Sequence, residues 1–561
     1  MQGLSTAARS ITGIRFAVSI MFSAAMTASC TSVAAPSATP SAESAHKPAQ
    51  AAACEALGKL NLEQIADHPA VIQSAAYVTD AEKSLTSQFM FGKRSIVQGH
   101  YVGEDVTELP AHCRIEGYVA PATQFLLLLP EPAAWNDKVL YGSCDAFCGA
   151  VEEDIPVMPL LRGYASITTN GGHINKRPFD GVWGYKNREA EIDFSHRASH
   201  FAAQISKALS KAYYGRDAEH AYIVGFSKGG HAGIKSALEY PDDYDGVVSR
   251  APTVKYQGIN ALRMPYLVKT NQRADGSFIL HADDARLLHK GAIAHCAAKD
   301  GLDDGMIEDP RNCDFDPESL LCEADQGGTE CLTAEKVDVA KRFYSRPTSE
   351  DGTLVWPYPL EYGSELNWVG FHVPLTPGAE PYAASIARTY LRYIAFETDP
   401  GPQYDWTIFD TAKDAHRLDA LKPIIDADDP NLGAFRDSGG KMIVLHGWAD
   451  GAISAQSSLD WYESVLTEMG REAVPSFARL FLLPGSTHGA SSGGGPTINN
   501  ALDALENWVE NGVAPNAIMM TRETDGIVDW SRPVFAYPQV ARYSGSGSIF
   551  DAENFAPVLP E

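Results

Sequence analysis

Residues 222–233 read YIVGFSKGGHAG, and this stretch constrains the fold more than any other. Three residues that favour a buried strand precede the G-x-S-x-G pattern of Gly225–Gly229, and small, helix-compatible residues follow it. A serine on such a tight strand-to-helix turn needs neighbours without a Cβ, because the helix must approach the strand closely. The pattern predicts that Ser227 is a nucleophile and that the Lys228 N–H can stabilise an oxyanion. The alternative is a glycine-rich turn that carries a serine by chance.

The length and charge of the chain limit its architecture and its partners. At 561 residues it exceeds what one minimal core requires, so we expect two domains or one domain with a large insertion. The formal net charge of −26 opposes binding to nucleic acid and to anionic membrane surfaces. We therefore expect no nucleic-acid partner.

The N-terminal residues 1–29 have the features of an export signal. Basic residues precede the apolar run Phe16–Ala28, which is too short to span a membrane and is typical of a signal peptide. Acylation of Cys30 as a lipid anchor is an alternative, which Thr27 weakens because leucine is usual there. Residues 30–53 are rich in Ala, Ser and Pro and predict a disordered linker. We expect a periplasmic, secreted or lipid-anchored protein.

The cysteine content agrees with export. Apart from Cys30 there are eight cysteines, and an even number in an exported chain predicts disulfides. Their spacings favour the pairs Cys296–Cys313, Cys322–Cys331 and Cys144–Cys148, which would leave Cys54 with Cys113. The connectivity itself stays open. Zinc is not favoured, because no C-x₂-C pair has partner histidines.

Strand and helix patterns alternate along much of the chain. This alternation predicts an α/β fold, a mostly parallel sheet with helices on both faces, in two parts over residues 54–252 and 439–561. A helix over Asn499–Asn511 is expected to close the fold. Between the two parts, residues 253–438 are rich in aromatic side chains and carry four of the cysteines, which indicates an inserted lid domain. We expect most of these aromatic residues to form the lid core and a few to line a cleft for a flat ring.

A nucleophilic serine needs a base and an acid that orients the base. In the α/β-hydrolase fold the three residues come in the order Ser, Asp or Glu, His, each just after a strand. Ser227, Asp450 and His488 have this order, and each follows an apolar run. We therefore predict that they form a catalytic triad. Other histidines compete for the role of base, but none follows the acid in the chain: His173, His231 and His446.

We call the strand-to-helix turn at Gly225–Gly229 the elbow. Several short motifs outside the elbow match a known family. They are Trp135-Asn136, Asp193-Phe194, Arg197-Ala198, His200, Tyr213–Gly215, Tyr240-Pro241, Asp245-Gly246, Gly439–Lys441, His446-Gly447 and Pro484-Gly485. With Gly225–Gly230, Asp450 and His488, they make the chain resemble the tannase/feruloyl esterase family of α/β-hydrolases over nearly its whole mature length. The resemblance implies an inserted lid and the same three catalytic residues.

Three positions beside Ser227 and His488 depart from that family. Its members usually carry Cys immediately before the nucleophile and immediately after the histidine, joined by a disulfide, whereas this chain has Phe226 and Gly489. Both halves of the pair are missing together, which is expected of a distinct subfamily. Lys228 stands where the family often has Thr or an acid. Its charge would favour anionic substrates if the side chain faced the site.

The resemblance also implies a calcium site in the lid segment that begins at Cys296. The matching positions give the carboxylates of Asp300, Asp304 and Asp309 and the carbonyls of Leu302 and Met306 as ligands. Oxygen donors on a glycine-containing loop suit a structural Ca²⁺ ion. Ala297 replaces the family's first aspartate, so we expect a weakened site. The alternative is an acidic surface turn.

The function expected from these features is an exported serine esterase that cleaves carboxylic esters through an acyl-enzyme. The resemblance and the lid aromatics favour esters of small aromatic, hydroxycinnamic or gallic acids. We expect the Lys228 N–H to form half of the oxyanion hole, with the second donor at Ser143 or Cys144. Two alternatives stay open: another serine hydrolase that acts on lactones, polyester oligomers or peptides, and a catalytically silent binding module on the same fold.

Overall fold

The structure, a computed structural model, describes residues 42–62, 66, 68–79, 81–82, 108–175, 177–323, 330–489, 497–498, 500–524 and 527–560. Residues Pro48–Glu561 form one compact unit. The predicted signal peptide and Cys30 lie outside the described residues. Within the described residues, no helix is both long and apolar enough to cross a membrane.

The core of the fold is a nine-stranded sheet, whose strands are β1 Ala70–Val78, β4 His112–Val119, β5 Thr123–Pro130, β6 Lys138–Gly142, β7 Ala165–Thr169, β8 His220–Phe226, β9 Gly246–Arg250, β10 Lys441–Gly447 and β11 Ala478–Leu483. They lie side by side in the order β1-β4-β5-β7-β6-β8-β9-β10-β11. In this order the first four strands pair in antiparallel fashion, and all strands from β7 to the β11 edge, including β6, run parallel. The predicted parallel sheet is confirmed.

Shorter strands form three smaller sheets. They are β2 Ala81–Glu82 with β3 Glu108–Leu109, β12 Thr497–Ile498 with β13 Ala517–Thr524 and β14 Ile527–Phe535, and β15 Val540–Tyr543 with β16 Phe555–Val558. The prediction that the helix near residue 511 closes the fold is wrong, because the β13–β14 hairpin follows it. Pro533 within β14 weakens the strand pattern there.

Helices cover both faces of the central sheet. The α-helices are α1 Ala42–Leu57, α2 Val157–Leu161, α3 Arg188–Ile192, α4 Ala198–Tyr214, α5 Lys228–Glu239, α6 Tyr256–Gly258, α7 Met264–Thr270, α8 Ala282–Cys296, α9 Ala334–Phe343, α10 Glu365–Trp368, α11 Tyr382–Tyr393, α12 Lys422–Ile425, α13 Gly433–Asp437, α14 Ala455–Met469 and α15 Ala501–Asn511. Helix α1 begins inside residues 30–53, which corrects the end of the predicted disordered linker. Alanine favours helix strongly, and the Cys54–Cys113 disulfide holds this helix to β4.

The alternation of side chains along the central strands places them in two cores. Ile223 of β8 and Val444 of β10 pack in one buried cluster with residues of α4 and α14. Their neighbours Tyr222 and Ile443 point to the opposite face and pack with α15 and the β13–β14 hairpin. Successive residues of a strand face opposite sides, so an all-apolar strand requires cover on both faces.

Among the described residues, the segment 253–438 contributes no strand to the central sheet, and it forms most of two further buried clusters. Most of its aromatic side chains are buried in these clusters, as predicted: Trp356, Tyr358, Trp368, Tyr390, Tyr393, Phe396, Trp406 and Phe409. Tyr362, Phe371 and Tyr382 are only partly buried. We call this segment the lid, and its limits as a separate domain stay a prediction.

Four disulfides cross-link the part of the chain that the structure describes. They join Cys54 to Cys113, Cys144 to Cys148, Cys296 to Cys313 and Cys322 to Cys331. These are the pairs that the spacings favour. Two of them lie in the lid, and Cys144–Cys148 lies beside the end of β6. The disulfides agree with folding in an oxidising compartment.

Candidate active site

The elbow has the predicted strand–turn–helix form. Ser227 lies between β8 and α5 with φ 57° and ψ −115°, a strained conformation for a residue with a side chain. Its N–H donates to the Arg250 carbonyl on β9 at 2.9 Å. A Cβ added at Gly225 would lie 2.1 Å from the Gly229 carbonyl oxygen. The turn can therefore close only with glycine at this position, which presents the serine beyond the strand end.

The three residues of the predicted triad meet at the carboxyl ends of β8, β10 and β11. The His488 Nε2 atom lies 3.1 Å from the Ser227 Oγ, and the His488 Nδ1 atom lies 2.6 Å from the Asp450 Oδ2. The Asp450 carboxylate is fully buried, and the His488 side chain is 7% exposed. The arrangement can remove the serine proton through Nε2 while Asp450 fixes the imidazole through Nδ1.

The competing histidines have other partners. The His231 Nε2 bonds to the Ile425 carbonyl at 2.6 Å, and the His173 ring stacks on Trp183. The His446 ring bonds to the Ser458 hydroxyl at 2.7 Å and to the Ile453 carbonyl at 3.0 Å. His446 nevertheless approaches the triad, because its Nε2 lies 3.3 Å from the Asp450 Oδ2.

Asp450 is held by both of its oxygens. Its Oδ1 accepts hydrogen bonds from the N–H groups of Ala452 and Ile453 at 2.9 and 2.8 Å. Burial raises the pKa of Asp450, but the charge of His488 and the hydrogen bonds from His446 and His488 outweigh burial and hold the pKa below its ordinary value. The acid is therefore ionised throughout the range in which an imidazole base operates.

The acid loop and the base loop approach each other closely. We define the acid loop as residues 448–454 and the base loop as residues 484–489. A Cβ added at Gly447 would lie 2.1 Å from the Ser486 carbonyl oxygen, and the Ala449 N–H donates to that same carbonyl at 3.0 Å. Glycine at the end of β10 is therefore required for the two loops to meet.

The predicted oxyanion donors lie around the first turn of α5. A Cβ added at Gly229 would lie 3.2 Å from the carbonyl oxygens of both Ser143 and Cys144, so the loop after β6 packs against this turn. The Ser143 N–H donates to the Val224 carbonyl at 3.1 Å, which occupies that donor. The backbone N–H groups of Lys228 and Cys144 are the remaining candidates.

The family model for tannase and feruloyl esterase matches residues 106–558. The chain belongs to the tannase and feruloyl esterase family. It is 30% identical to the probable feruloyl esterase B-1 of Aspergillus oryzae, over 80% of this chain and 84% of that protein. It is 29% identical to the mono(2-hydroxyethyl) terephthalate hydrolase of Piscinibacter sakaiensis, over 91% of this chain and 92% of that protein.

Solved structures agree with this membership. The crystal structure of feruloyl esterase B from Aspergillus oryzae matches this chain with a TM-score of 0.76 and 27% identity. The match covers 91% of this chain and 100% of that structure's chain. The tannin acyl hydrolase from Aspergillus niger shares the fold, with a TM-score of 0.69 at 20% identity over 88% of this chain and 92% of its own. This member of the tannase and feruloyl esterase family is a carboxylic ester hydrolase with an α/β-hydrolase fold.

Aromatic rings surround the base of this esterase. The Phe226 ring lies 4.7 Å from the His488 ring between centroids, and the Phe371 ring of the lid lies 6.1 Å from it. The centre of the Phe179 ring lies 6.4 Å from that of the Phe371 ring and 5.5 Å from that of the Tyr382 ring. The sequence predicted an aromatic contribution from the lid but not from Phe179 or Phe226. At position 226, where the sequence resemblance implies a disulfide cysteine, a ring packs on the imidazole of the predicted base.

The Lys228 ammonium turns towards the protein interior. The Lys228 side chain is buried, its Nζ lies 4.6 Å from the centre of the Phe194 ring, and it donates to the Ser195 carbonyl at 3.5 Å. Burial lowers the pKa of Lys228 to about 7. A side chain committed to these contacts does not support the expected preference for anionic substrates.

Replacing this lysine should stabilise the enzyme in a pH-dependent way. Since burial lowers the folded-state pKa to about 7, the unfolded chain holds a proton that the folded chain lacks between about pH 7 and pH 10. The free energy of unfolding of the wild type therefore rises with pH between about pH 7 and pH 10. Below pH 7 the folded protein buries the charged ammonium and carries the whole cost of that burial. We expect Lys228→Met, which keeps the backbone N–H, to raise the free energy of unfolding most below pH 7 and progressively less towards pH 10.

Urea unfolding at several pH values measures this effect. Lys235→Met is the matched control, because Lys235 is also buried on α5 but forms an ion pair with Glu239 at 2.8 Å. We expect the control to lose stability. A gain for Lys228→Met that is the same at every pH would contradict the explanation.

The carboxylates predicted to bind calcium have other partners. The Asp304 side chain is fully buried, and its Oδ2 lies 2.7 Å from the guanidinium of Arg532 on β14. Its Oδ1 accepts from the Met306 N–H at 3.0 Å. Asp309 forms an ion pair with Arg311 at 2.6 Å. Leu302 is buried, and the Asp300 side chain lies outside the described part of the chain.

This arrangement does not fit a calcium ion, because two guanidinium groups bond to the carboxylates that Ca²⁺ would need. These contacts argue against the calcium site that the sequence predicts, and calcium-dependent unfolding tests that prediction. We expect thermal unfolding to be the same in excess CaCl₂ and in EDTA. A calcium ion at a free concentration 100-fold above its Kd would add about 2.7 kcal/mol to the free energy of unfolding. A calcium-dependent rise in Tm would show that the ion displaces the arginines.

Proposed function

We propose that this protein is an exported serine esterase that hydrolyses esters of small aromatic acids, of the hydroxycinnamic or gallic type, through an acyl-enzyme. The observation that carries the proposal is the chain of contacts from Ser227 through His488 to Asp450, at 3.1 and 2.6 Å. Three residues distant in sequence are within hydrogen-bond reach in the order that the reaction needs.

In the acylation step the Ser227 Oγ attacks the carbonyl carbon of the ester, and His488 takes the serine proton at Nε2. The buried Asp450 carboxylate stabilises the imidazolium through Nδ1. The backbone N–H groups of Lys228 and Cys144 stabilise the negative oxygen of the tetrahedral intermediate. The intermediate collapses when His488 returns the proton to the leaving alcohol, which leaves the acid bound to Ser227 as an ester.

In the deacylation step a water molecule replaces the alcohol. His488 removes a proton from this water as its oxygen attacks the acyl carbon, and the same N–H groups stabilise the second oxyanion. The proton then passes to the Ser227 Oγ as the acyl bond breaks. The products are the free carboxylic acid and the regenerated enzyme, so atoms and charge balance over the cycle.

Two findings support an aromatic acid as the substrate. Relatives that align with most of this chain are named feruloyl esterases, and one is named for a terephthalate ester. Phe226 and Phe371 place apolar rings against the His488 imidazole, and the Phe179 ring lies behind Phe371. Rings of this kind pack favourably on a planar acyl group in offset or edge-to-face geometry.

Export is supported by the four disulfides, which form and persist in oxidising compartments. The sequence features of residues 1–29 and Cys30 leave a free exported form and a lipid-anchored form as the two versions of this proposal. Mass spectrometry of the mature N-terminus from a secreting host distinguishes them. A diacylglyceryl cysteine identifies the anchored form, and an unmodified N-terminus identifies the free form.

The test of substrate class is a panel of esters under identical conditions. We expect feruloyl, cinnamoyl and galloyl esters to give higher kcat/KM than acetyl or butyryl esters of the same alcohol. A lactone, a polyester oligomer and a peptide substrate belong in the same panel, and a higher kcat/KM on any of them would contradict the proposed acyl specificity. No turnover of any member would indicate a silent hydrolase fold and overturn the proposal.

A further inference from the structure

One lid side chain bonds to both catalytic loops. The Asn367 Oδ1 accepts a hydrogen bond from the Gly451 N–H at 2.9 Å and another from the His488 N–H at 3.1 Å. Gly451 follows the triad acid directly, and His488 is the base. Both contacts come from N–H donors, so the atom that receives them must be the amide oxygen and not the nitrogen. The Asn367 side chain is almost fully buried.

Asn367 itself is held firmly by helix α10. Its neighbour Trp368 is fully buried and donates from its indole N–H to the Ser364 hydroxyl at 2.8 Å. A Cβ added at Gly451 would lie 2.9 Å from the Trp368 ring, so the acid loop lies directly on this helix. The amide oxygen is therefore presented from a packed element.

Other lid side chains fix the acid loop from the same side. The His372 Nε2 bonds to the Gly451 carbonyl at 2.8 Å, the buried Arg263 guanidinium donates to the Ala452 carbonyl, and the Ser454 hydroxyl donates to Glu361. These three hydrogen bonds reach the acid loop alone, whereas Asn367 bonds to the base loop as well.

We propose that Asn367 is a positioning residue that holds the acid loop and the base loop in register, so that Asp450 and His488 meet at the distance that catalysis requires. This inference rests on the proposed triad function. In this arrangement the geometry of the triad depends on a lid residue. No cysteine lies beside Ser227 or His488 to tie the loops covalently.

The expected cost of removing the amide follows from burial. A buried N–H group left without a partner destabilises the folded state, so the loops should relax until the Gly451 and His488 N–H groups find other partners. A misplacement of about 1 Å at a reacting group lowers the rate by about 10²-fold. Substrate contacts are not removed, so the loss should appear in kcat and not in KM.

The test compares Asn367→Ala, Asn367→Asp and a control in the intact protein. We expect Asn367→Ala to lower kcat by about 10²-fold with KM nearly unchanged. The acidic limb of its kcat/KM profile should move to lower pH, because a loosened Asp450 stabilises the protonated imidazole less. Asn367→Asp keeps an oxygen acceptor for both N–H groups, and we expect it to retain kcat within about tenfold of the wild type.

Gln257→Ala is the matched control for stability. Gln257 is a fully buried lid amide whose side chain bonds to Ala395, Leu418 and Tyr390, none of which belongs to a catalytic loop. We expect it to lower Tm as Asn367→Ala does while leaving kcat and the pH profile at wild-type values. If Asn367→Ala does not fold, Asn367→Gln applies the same test, because its amide oxygen is displaced by one methylene.

The outcomes separate this inference from the proposed function. If Ser227→Ala is inactive but Asn367→Ala and Asn367→Gln keep wild-type kcat and pH profile, the positioning role is wrong and the triad stands. Equal kcat losses in Gln257→Ala and Asn367→Ala would show a general stability effect and would also overturn the positioning role. If Ser227→Ala keeps its activity, the proposed function itself fails.

Discussion

Ser227→Ala is expected to lower kcat by about 10⁶-fold, to the level left by substrate binding and the oxyanion donors alone. In the proposed mechanism the Ser227 hydroxyl forms the covalent acyl ester, and its Oγ lies 3.1 Å from the His488 Nε2. Alanine cannot form the ester, and it removes no packing on which the elbow depends. We therefore expect the Tm to stay near the wild-type value or to rise slightly, since the strained turn keeps its backbone bond to Arg250.

The measurement is initial-rate hydrolysis of a feruloyl ester with purified protein, together with a thermal melt. Ser236→Ala is the matched control, because Ser236 is a buried serine on the same helix α5 and lies outside the triad. We expect wild-type turnover for the control. Turnover by Ser227→Ala within tenfold of the wild type would show that another group is the nucleophile.

Asp450→Asn is expected to lower kcat by about 10⁴-fold at neutral pH. The Asp450 Oδ2 accepts from the His488 Nδ1 at 2.6 Å, and the His446 Nε2 lies 3.3 Å from the same oxygen. A neutral amide cannot stabilise the imidazolium, and an amide N–H at this position would impose the wrong tautomer on His488. The protein should therefore fold and bind substrate, but proton transfer from Ser227 should be slow.

The difference in folding stability between Asp450→Asn and the wild type should depend on pH. The contacts to His488 and His446 hold the pKa of Asp450 below its ordinary value, so the ionised carboxylate stabilises the folded state above the ordinary aspartate range, near pH 4. This contribution is lost as the pH falls towards the folded-state pKa. The stability of Asp450→Asn should thus differ most from that of the wild type at neutral pH and least in acid.

A second buried carboxylate provides the comparison. Asp426 accepts from the Gln257 N–H at 2.8 Å, and burial raises its pKa to about 7. Asp426→Asn replaces an acid that is already partly neutral, and we expect its kcat to stay within about threefold of the wild type. Equal rates for Asp450→Asn and Asp426→Asn would contradict the role of Asp450.

The central sheet and the contacts of the triad could be predicted because each depends on a local pattern. Strand β8 and the start of α5 are specified by apolar residues followed by small ones, and Asp450 and His488 each follow an apolar strand. Parallel strands bring their carboxyl ends to one edge, so the three residues meet without any further information.

Contacts between elements distant in sequence could not be predicted in this way. Nothing near Asn367 indicates that its amide bonds to residues 451 and 488, because those positions belong to separate loops of the sheet. The same holds for Asp304, whose partner Arg532 lies on the β13–β14 hairpin, which the sequence pattern does not indicate. A carboxylate pattern alone does not distinguish a calcium ion from a guanidinium group as the neutralising partner.

Fluorophosphonate labelling followed by peptide mapping most directly tests whether Ser227 is a nucleophile that His488 activates. The reagent forms a stable phosphonyl ester with a serine activated by a neighbouring base. We expect one adduct, on the peptide that contains Ser227, and loss of labelling in both Ser227→Ala and His488→Ala. An adduct on a different residue, or unchanged labelling of the His488→Ala protein, would contradict it.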